Sequence, residues 1–100
     1  MAIVEVSVIP MGTDEPSVSS YISACYKVLE KETQLKHQLT PMSTIIEGDV
    51  DKVIDAVKKM HKVPFSEGVQ RVVTTITIDE RTDKPLSMET SMESVKAGIH

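Results

Sequence analysis

Two polar side chains stand out on an otherwise apolar stretch, Leu39-Thr-Pro-Met-Ser-Thr-Ile-Ile-Glu-Gly-Asp49: the hydroxyl of Thr44 and the carboxylate of Glu47. Pro41 presets a turn, Thr44, Ile45 and Ile46 form a β-branched run, and Gly48-Asp49 breaks the strand and offers a helix N-cap. A carboxylate at a strand end beside a helix start is either a solvated boundary residue or an anchor for a ligand. Glu mostly stays in water, so pattern alone favours the boundary. Acid–base chemistry would need two groups of separated pKa in one pocket. Glu5 and Glu47 on neighbouring strands are the conceivable pair, although strand carboxylates are more often solvated or paired, here with Arg71.

Other chemistries find less support. His37, His61 and His100 have no second ligand at metal spacing, and nothing resembles HExxH or a Cys/His cluster. No GxSxG is present, and Gly12, Gly48, Gly68 and Gly98 are isolated, so no phosphate cradle forms. The one cysteine, Cys25, excludes an internal disulfide and falls on the apolar face of a predicted helix, where a buried inert thiol is expected. No catalytic residue, metal or cofactor is therefore expected. A binding site is easier to build. The Pro10–Pro16 loop, the helix start at Ser17 and the Pro41–Glu47 segment could gather at strand ends, with Met and Ile walls and a few directed polar groups. Glu47 with the hydroxyls of Thr44, Ser7 and Ser17 would suit a ligand carrying amino or ring-nitrogen groups and positive charge. It would suit phosphate badly.

Six elements and a short tail helix must position these groups. Ala2 to Ile9 alternates with period two, with Val4, Val6 and Val8 turned to a core and Glu5 and Ser7 on the other face. Val18, Ile22, Cys25 and Leu29 then recur at helical spacing, capped by Ser17 and running to about Lys31. Leu35–Leu39 is a weak, polar strand suited to a sheet edge. Ser43–Glu47 follows the Pro41-Met42 turn. Asp49 caps a second helix with the stripe Val50, Val53, Ile54, Val57 and Met60, expected to end at Pro64 and Gly68. Arg71–Asp79 alternates again. Met88, Met92, Val95 and Ile99 predict a short tail helix.

The order β-α-β-β-α-β predicts a single α+β domain over residues 1–100, a ferredoxin-like sandwich. Two helices would cover one face of a four-stranded antiparallel sheet, with strands one and three central and the short C-terminal helix beyond. The sheet's open face and the long last edge strand both favour self-association, with the tail helix free to clasp a partner.

Bulk properties narrow the class. One hundred residues suffice for one core, and 40% hydrophobic with 26% charged residues is ordinary for a globular chain. A net charge of -4 argues against a nucleic-acid partner. Lys52, Lys58, Lys59 and Lys62 share one helix with Asp and apolar positions, as a solvated face does. The beginning of the chain has no basic n-region, and no run reaches the ~18 apolar residues of a membrane helix, so no membrane is expected and the cytoplasm is the default compartment.

The combination of segments is also familiar. Val8-Ile-Pro-Met-Gly-Thr13 with Ser17 and Tyr21, Met42-Ser-Thr-Ile-Ile-Glu-Gly48, Gly68-Val-Gln-Arg-Val72 leading to Ile78-Asp-Glu-Arg81, and Ser94-Val95 together resemble the small thiamine-binding proteins. The order P-x-G-T, T-x-x-E-G, R-V…D-x-R spans nearly the whole chain. The resemblance implies the ferredoxin-like fold, assembly into dimers or tetramers, and binding of thiamine or its hydroxymethylpyrimidine part without an established catalytic activity. It implies a pocket at T-x-x-E-G, hence Thr44 and Glu47, with Thr13 of the Pro10–Thr13 loop and Ser17 next. Met42 and Ser7 complete the expected ligand-binding set.

Overall fold

A computed structural model describes residues 1–12, 19–40, 43–83, 87–89, 92 and 95, with the backbone alone for 19–22. The elements are β1 (Ala2–Met11), α1 (Ser19–Glu30), β2 (Lys36–Leu39), β3 (Thr44–Gly48), α2 (Val50–Ser66) and β4 (Arg71–Glu80). They form the ferredoxin-like α+β sandwich, a four-stranded sheet in the order β2-β3-β1-β4 with every neighbour antiparallel. The expected tail helix lies largely outside the described residues.

The alternation in β1 decides which face is buried. Ala2, Val4 and Val6 lose their solvent contact beside Ile46 of β3, Cys25 and Leu29 of α1, and Val53, Ala56, Val57 and Met60 of α2. Both helical stripes therefore meet the even-numbered face of β1, and burying such side chains is the main favourable term in folding. Gly48 belongs to this face too. A Cβ there would meet the end of the buried Leu35 side chain, which would have to move to admit it, so the glycine in T-x-x-E-G serves packing as well as ending the strand.

β1 runs two residues past its expected end, through Pro10 to Met11. The reason is the stopping point of β3, which pairs with β1 only as far as Val6↔Thr44. Beyond that point no described strand pairs with that edge of β1, and a residue with no N–H to donate is tolerated there.

Pro64, one of the two residues expected to end α2, instead lies inside it. Proline removes the donor that would reach the carbonyl four residues back, here Met60. The Cys25 thiol donates to that same Met60 oxygen at 3.5 Å, supplying from α1 what α2 lacks. The helix stops at Gly68, the other expected end, whose φ of +93° suits glycine. Gly68 N–H donates to Phe65 O and Val69 N–H to Pro64 O, both at 3.1 Å, which makes a Schellman closure sealed by the buried Val69. At the other end the Asp49 carboxylate accepts from Lys52 N–H, as an N-cap should.

Burial pushes the Cys25 thiol pKa up. A raised folded value means the neutral thiol's contribution is complete below the unfolded pKa of about 8.5 and is lost as pH climbs from there through the raised value. Cys25→Ala should cost about 1–2 kcal/mol, from lost packing and an orphaned carbonyl. In a Pro64→Ala background, where α2 regains its own donor, the same change should cost distinctly less. Urea denaturation of the four proteins in this double-mutant cycle reads the coupling; strict additivity would sink the account.

Candidate functional site

The pairing register distributes the sequence-predicted residues between two faces. Val4 lies opposite Ile46 and Val6 opposite Thr44, so Thr44 faces the helices, next to Leu39 of β2. Ile3 lies opposite Glu47, so Glu47 belongs to the open face with Ile3, Glu5 and Ser7. Residues three apart on a strand point in opposite directions. Thr44 and Glu47 therefore stand on opposite faces of β3. Ser7 is half-buried on the Glu47 face, opposite Thr75 of β4. Thr13, Ser17 and Met42 lie outside the described residues.

Glu47 is not a solvated boundary residue. It keeps 6% exposure, and it is the buried charged residue of the described part of the chain. Among the described residues its carboxylate makes no hydrogen bond or ion pair, although Lys36 stands directly across from it on β2. Most of this side chain is shielded while its carboxylate oxygens keep some contact with solvent, since the buried side-chain atom without a partner among the described residues is His37 Nδ1. A shielded acid that still reaches the surface is open to a ligand.

Its surroundings on the open face form a readable pattern. One cross-strand row runs Lys36, Glu47, Ile3, Asp79, and the next runs Gln38, Ile45, Glu5, Thr77. Ile3 is thus flanked across the sheet by Glu47 and Asp79, with Glu5 two residues along its own strand. Glu5, Asp79 and Lys36 are exposed. Further along, Ile9, Met11 and Val73 leave the same face apolar and exposed. Sequence reasoning named Glu5 but missed Asp79 and Lys36. Their relation to Glu47 rests on strand register, which period-two alternation reveals only once strand order is known.

Elsewhere, the described residues contain no group of three His, Cys, Asp or Glu side chains fit to hold a metal ion. His61 Nδ1 and Thr74 Oγ1 lie 2.6 Å apart and tie α2 to β4. The His37 ring meets Tyr26 edge-on at 5.0 Å, and its Nδ1 is buried without a hydrogen bond. Next to Tyr26, an open groove of about 470 Å³ is lined by Ser23, Lys27, Glu30 and Leu39. The hairpin tip before β3 is closed by Thr40, whose Oγ1 accepts from Ser43 N–H at 3.0 Å while its own N–H donates to Ser43 O at 2.8 Å. No helix among the described residues is long and apolar enough to cross a membrane.

A two-layer sandwich that shields one carboxylate, without a partner among the described residues, on the face away from its helices has the make-up of a small-molecule binding domain. The chain belongs to the family described as thiamine-binding protein, which matches residues 4–96. It is 45% identical over 98 residues to UPF0045 protein YqgV of Bacillus subtilis, covering 95% of this chain and 94% of that one. A UPF0045 protein of Methanothermobacter thermautotrophicus is 37% identical over 100 residues, covering 99% of this chain and all of the relative. Among solved structures, the hypothetical protein MJ1052 of Methanocaldococcus jannaschii superposes with a TM-score of 0.86 at 35% identity over 95% of each chain. A Thermotoga maritima protein, named as a candidate in thiamine biosynthesis or salvage, shares the fold with a TM-score of 0.77 at 18% identity, over 94% of this chain and 97% of its own.

Proposed function

We propose that this chain is a non-catalytic binding protein for thiamine or its hydroxymethylpyrimidine part, acting in the cytoplasm, with Glu47 as the anchor. The observation that carries the reading is Glu47 on the open face, 6% exposed as a residue and without a hydrogen bond or ion pair among the described residues. An aminopyrimidine offers an amino group and ring nitrogens to such a carboxylate, and the contact is strengthened by charge when the ring is protonated. Ser7 shares that face and is the next contact; Thr44, on the opposite face, takes part only through the strand it belongs to. Thr13, Ser17 and Met42 remain candidate contacts from the loops at the strand ends. Family membership and the name of the Thermotoga relative support the same ligand class.

Isothermal titration of the purified protein with thiamine, and separately with hydroxymethylpyrimidine, tests the reading. Saturable heat from either, lost in a folded Glu47→Ala protein, is the expected result. Unchanged affinity in that variant would place the site elsewhere.

A second reading has its own observation. Exposed Ile9, Met11 and Val73 on the open face, with Ile76 and Ile78 on the edge strand, favour a homo-oligomer, dimer or tetramer. Were both titrations silent and sedimentation to show a clean oligomer, a structural or regulatory assembly would replace the ligand-binding role.

A further inference from the structure

The carboxylate at Glu47 does not stand alone on its face. Asp79 is two strand spacings away across Ile3, a separation of about 10 Å, and Glu5 sits on the diagonal between them. Among the described residues, neither Glu5 nor Asp79 makes an ion pair or a hydrogen bond. Two independent observations therefore coincide: an acidic triangle around one isoleucine, and at one corner a side chain more than nine-tenths buried with no partner. The triangle is too open to chelate one metal ion. It suits a larger cation, one ring held at Glu47 and a second, positively charged centre resting over Ile3 between Glu5 and Asp79.

We infer that Glu5 and Asp79 are specificity-determining residues that select a ligand with a permanent organic cation joined to its aminopyrimidine, so that intact thiamine is preferred over the uncharged hydroxymethylpyrimidine. This rests on Glu47 being the anchor. Hydrogen bonds at Glu47 are available to both ligands equally. Only the quaternary thiazolium nitrogen adds a charge for the two exposed carboxylates to attract, and solvent screening keeps each contribution modest. Lys36 acts in the opposite sense. It stands across from Glu47 without pairing to it, so its charge opposes any cation that approaches the anchor.

The test is titration of thiamine and hydroxymethylpyrimidine into the wild type, Glu5→Gln/Asp79→Asn and Lys36→Gln, each at about 20 mM and about 500 mM salt. All three positions are exposed, so the variants are expected to fold, which circular dichroism verifies. Thiamine affinity should fall roughly three- to tenfold in the double variant and rise about two- to threefold in Lys36→Gln, with hydroxymethylpyrimidine unmoved in both. High salt should weaken thiamine binding to the wild type and barely affect the double variant. If both ligands weaken together, or thiamine ignores the loss of both carboxylates, the selective role is wrong while the Glu47 anchor stands. If the wild type binds neither ligand, the anchor reading falls and takes this inference with it.

Discussion

Ile46→Ala should cost the fold about 3 kcal/mol, with a fall in Tm of roughly 12–24 °C. Ile46 has no solvent exposure, lies opposite Val4 at the centre of the sheet, and sits against the stripe that α2 presents. Truncating it leaves a hole bounded by two β-strands and a helix, none of which can close it without breaking register or helix packing. A domain of this size has only about 5–15 kcal/mol of net stability, so one such cavity removes a large share. The neighbouring truncation is the control. Ile45 is half-buried on the open face, and Ile45→Ala should cost distinctly less. Urea unfolding of the two variants settles the matter, and a larger loss for Ile45→Ala would mean that β3 is turned over.

The second large effect combines binding with stability. Glu47→Gln removes the negative charge but keeps the shape. Thiamine affinity should drop roughly ten- to hundredfold, the worth of about 1.5–3 kcal/mol for a hydrogen bond to a charged group. The unliganded protein should at the same time become slightly more stable, because a largely shielded carboxylate with no partner among the described residues has been neutralised. The opposite signs give the experiment its force. A carboxylate kept for structure would lower both quantities when replaced. Titration and thermal melts of the same preparation distinguish the cases, and a melt shifted downward by Glu47→Gln would make Glu47 a structural residue.

Much of the fold is legible in the sequence because its elements obey simple periods. The even positions of β1, the Cys25–Leu29 part of the first stripe and the Val53–Met60 part of the second all lie where alternation and helical spacing put them. The order β-α-β-β-α-β is enough to give the sheet its strand order. The misplaced ends have a common cause, in that each depends on a distant residue. Pro64 does not stop α2 because a thiol thirty-nine positions earlier satisfies the carbonyl it orphans, and no local rule contains that thiol. Pro10 does not stop β1 because β3 has already ended. At the candidate site, the type and position of Glu47 are visible in the chain. Its burial is not, since exposure depends on what the folded chain brings around it. The separation of Thr44 from Glu47, by contrast, is legible in their spacing, since three residues on a strand cross from one face to the other.

The early stop of β3 leaves Ser7–Met11 and Arg71–Thr75 as a two-stranded ribbon projecting beyond the four-stranded part of the sheet. Among the described residues, Val8 and the His61–Thr74 contact back this ribbon on the helix side, but with two strands rather than four it has less support than the body of the sheet. Amide hydrogens in this ribbon should therefore exchange with solvent deuterium well before those of Ala2–Val6, through local openings that leave the body of the sheet intact. The ribbon also carries Ile9, Met11 and Val73, exposed in the single chain. Exchange measured across a dilution series thus becomes a local gauge of assembly. Protection of the ribbon that fades on dilution, while Ala2–Val6 stays slow, would show that a second copy had been holding it closed. Protection independent of concentration would mean that the ribbon holds itself.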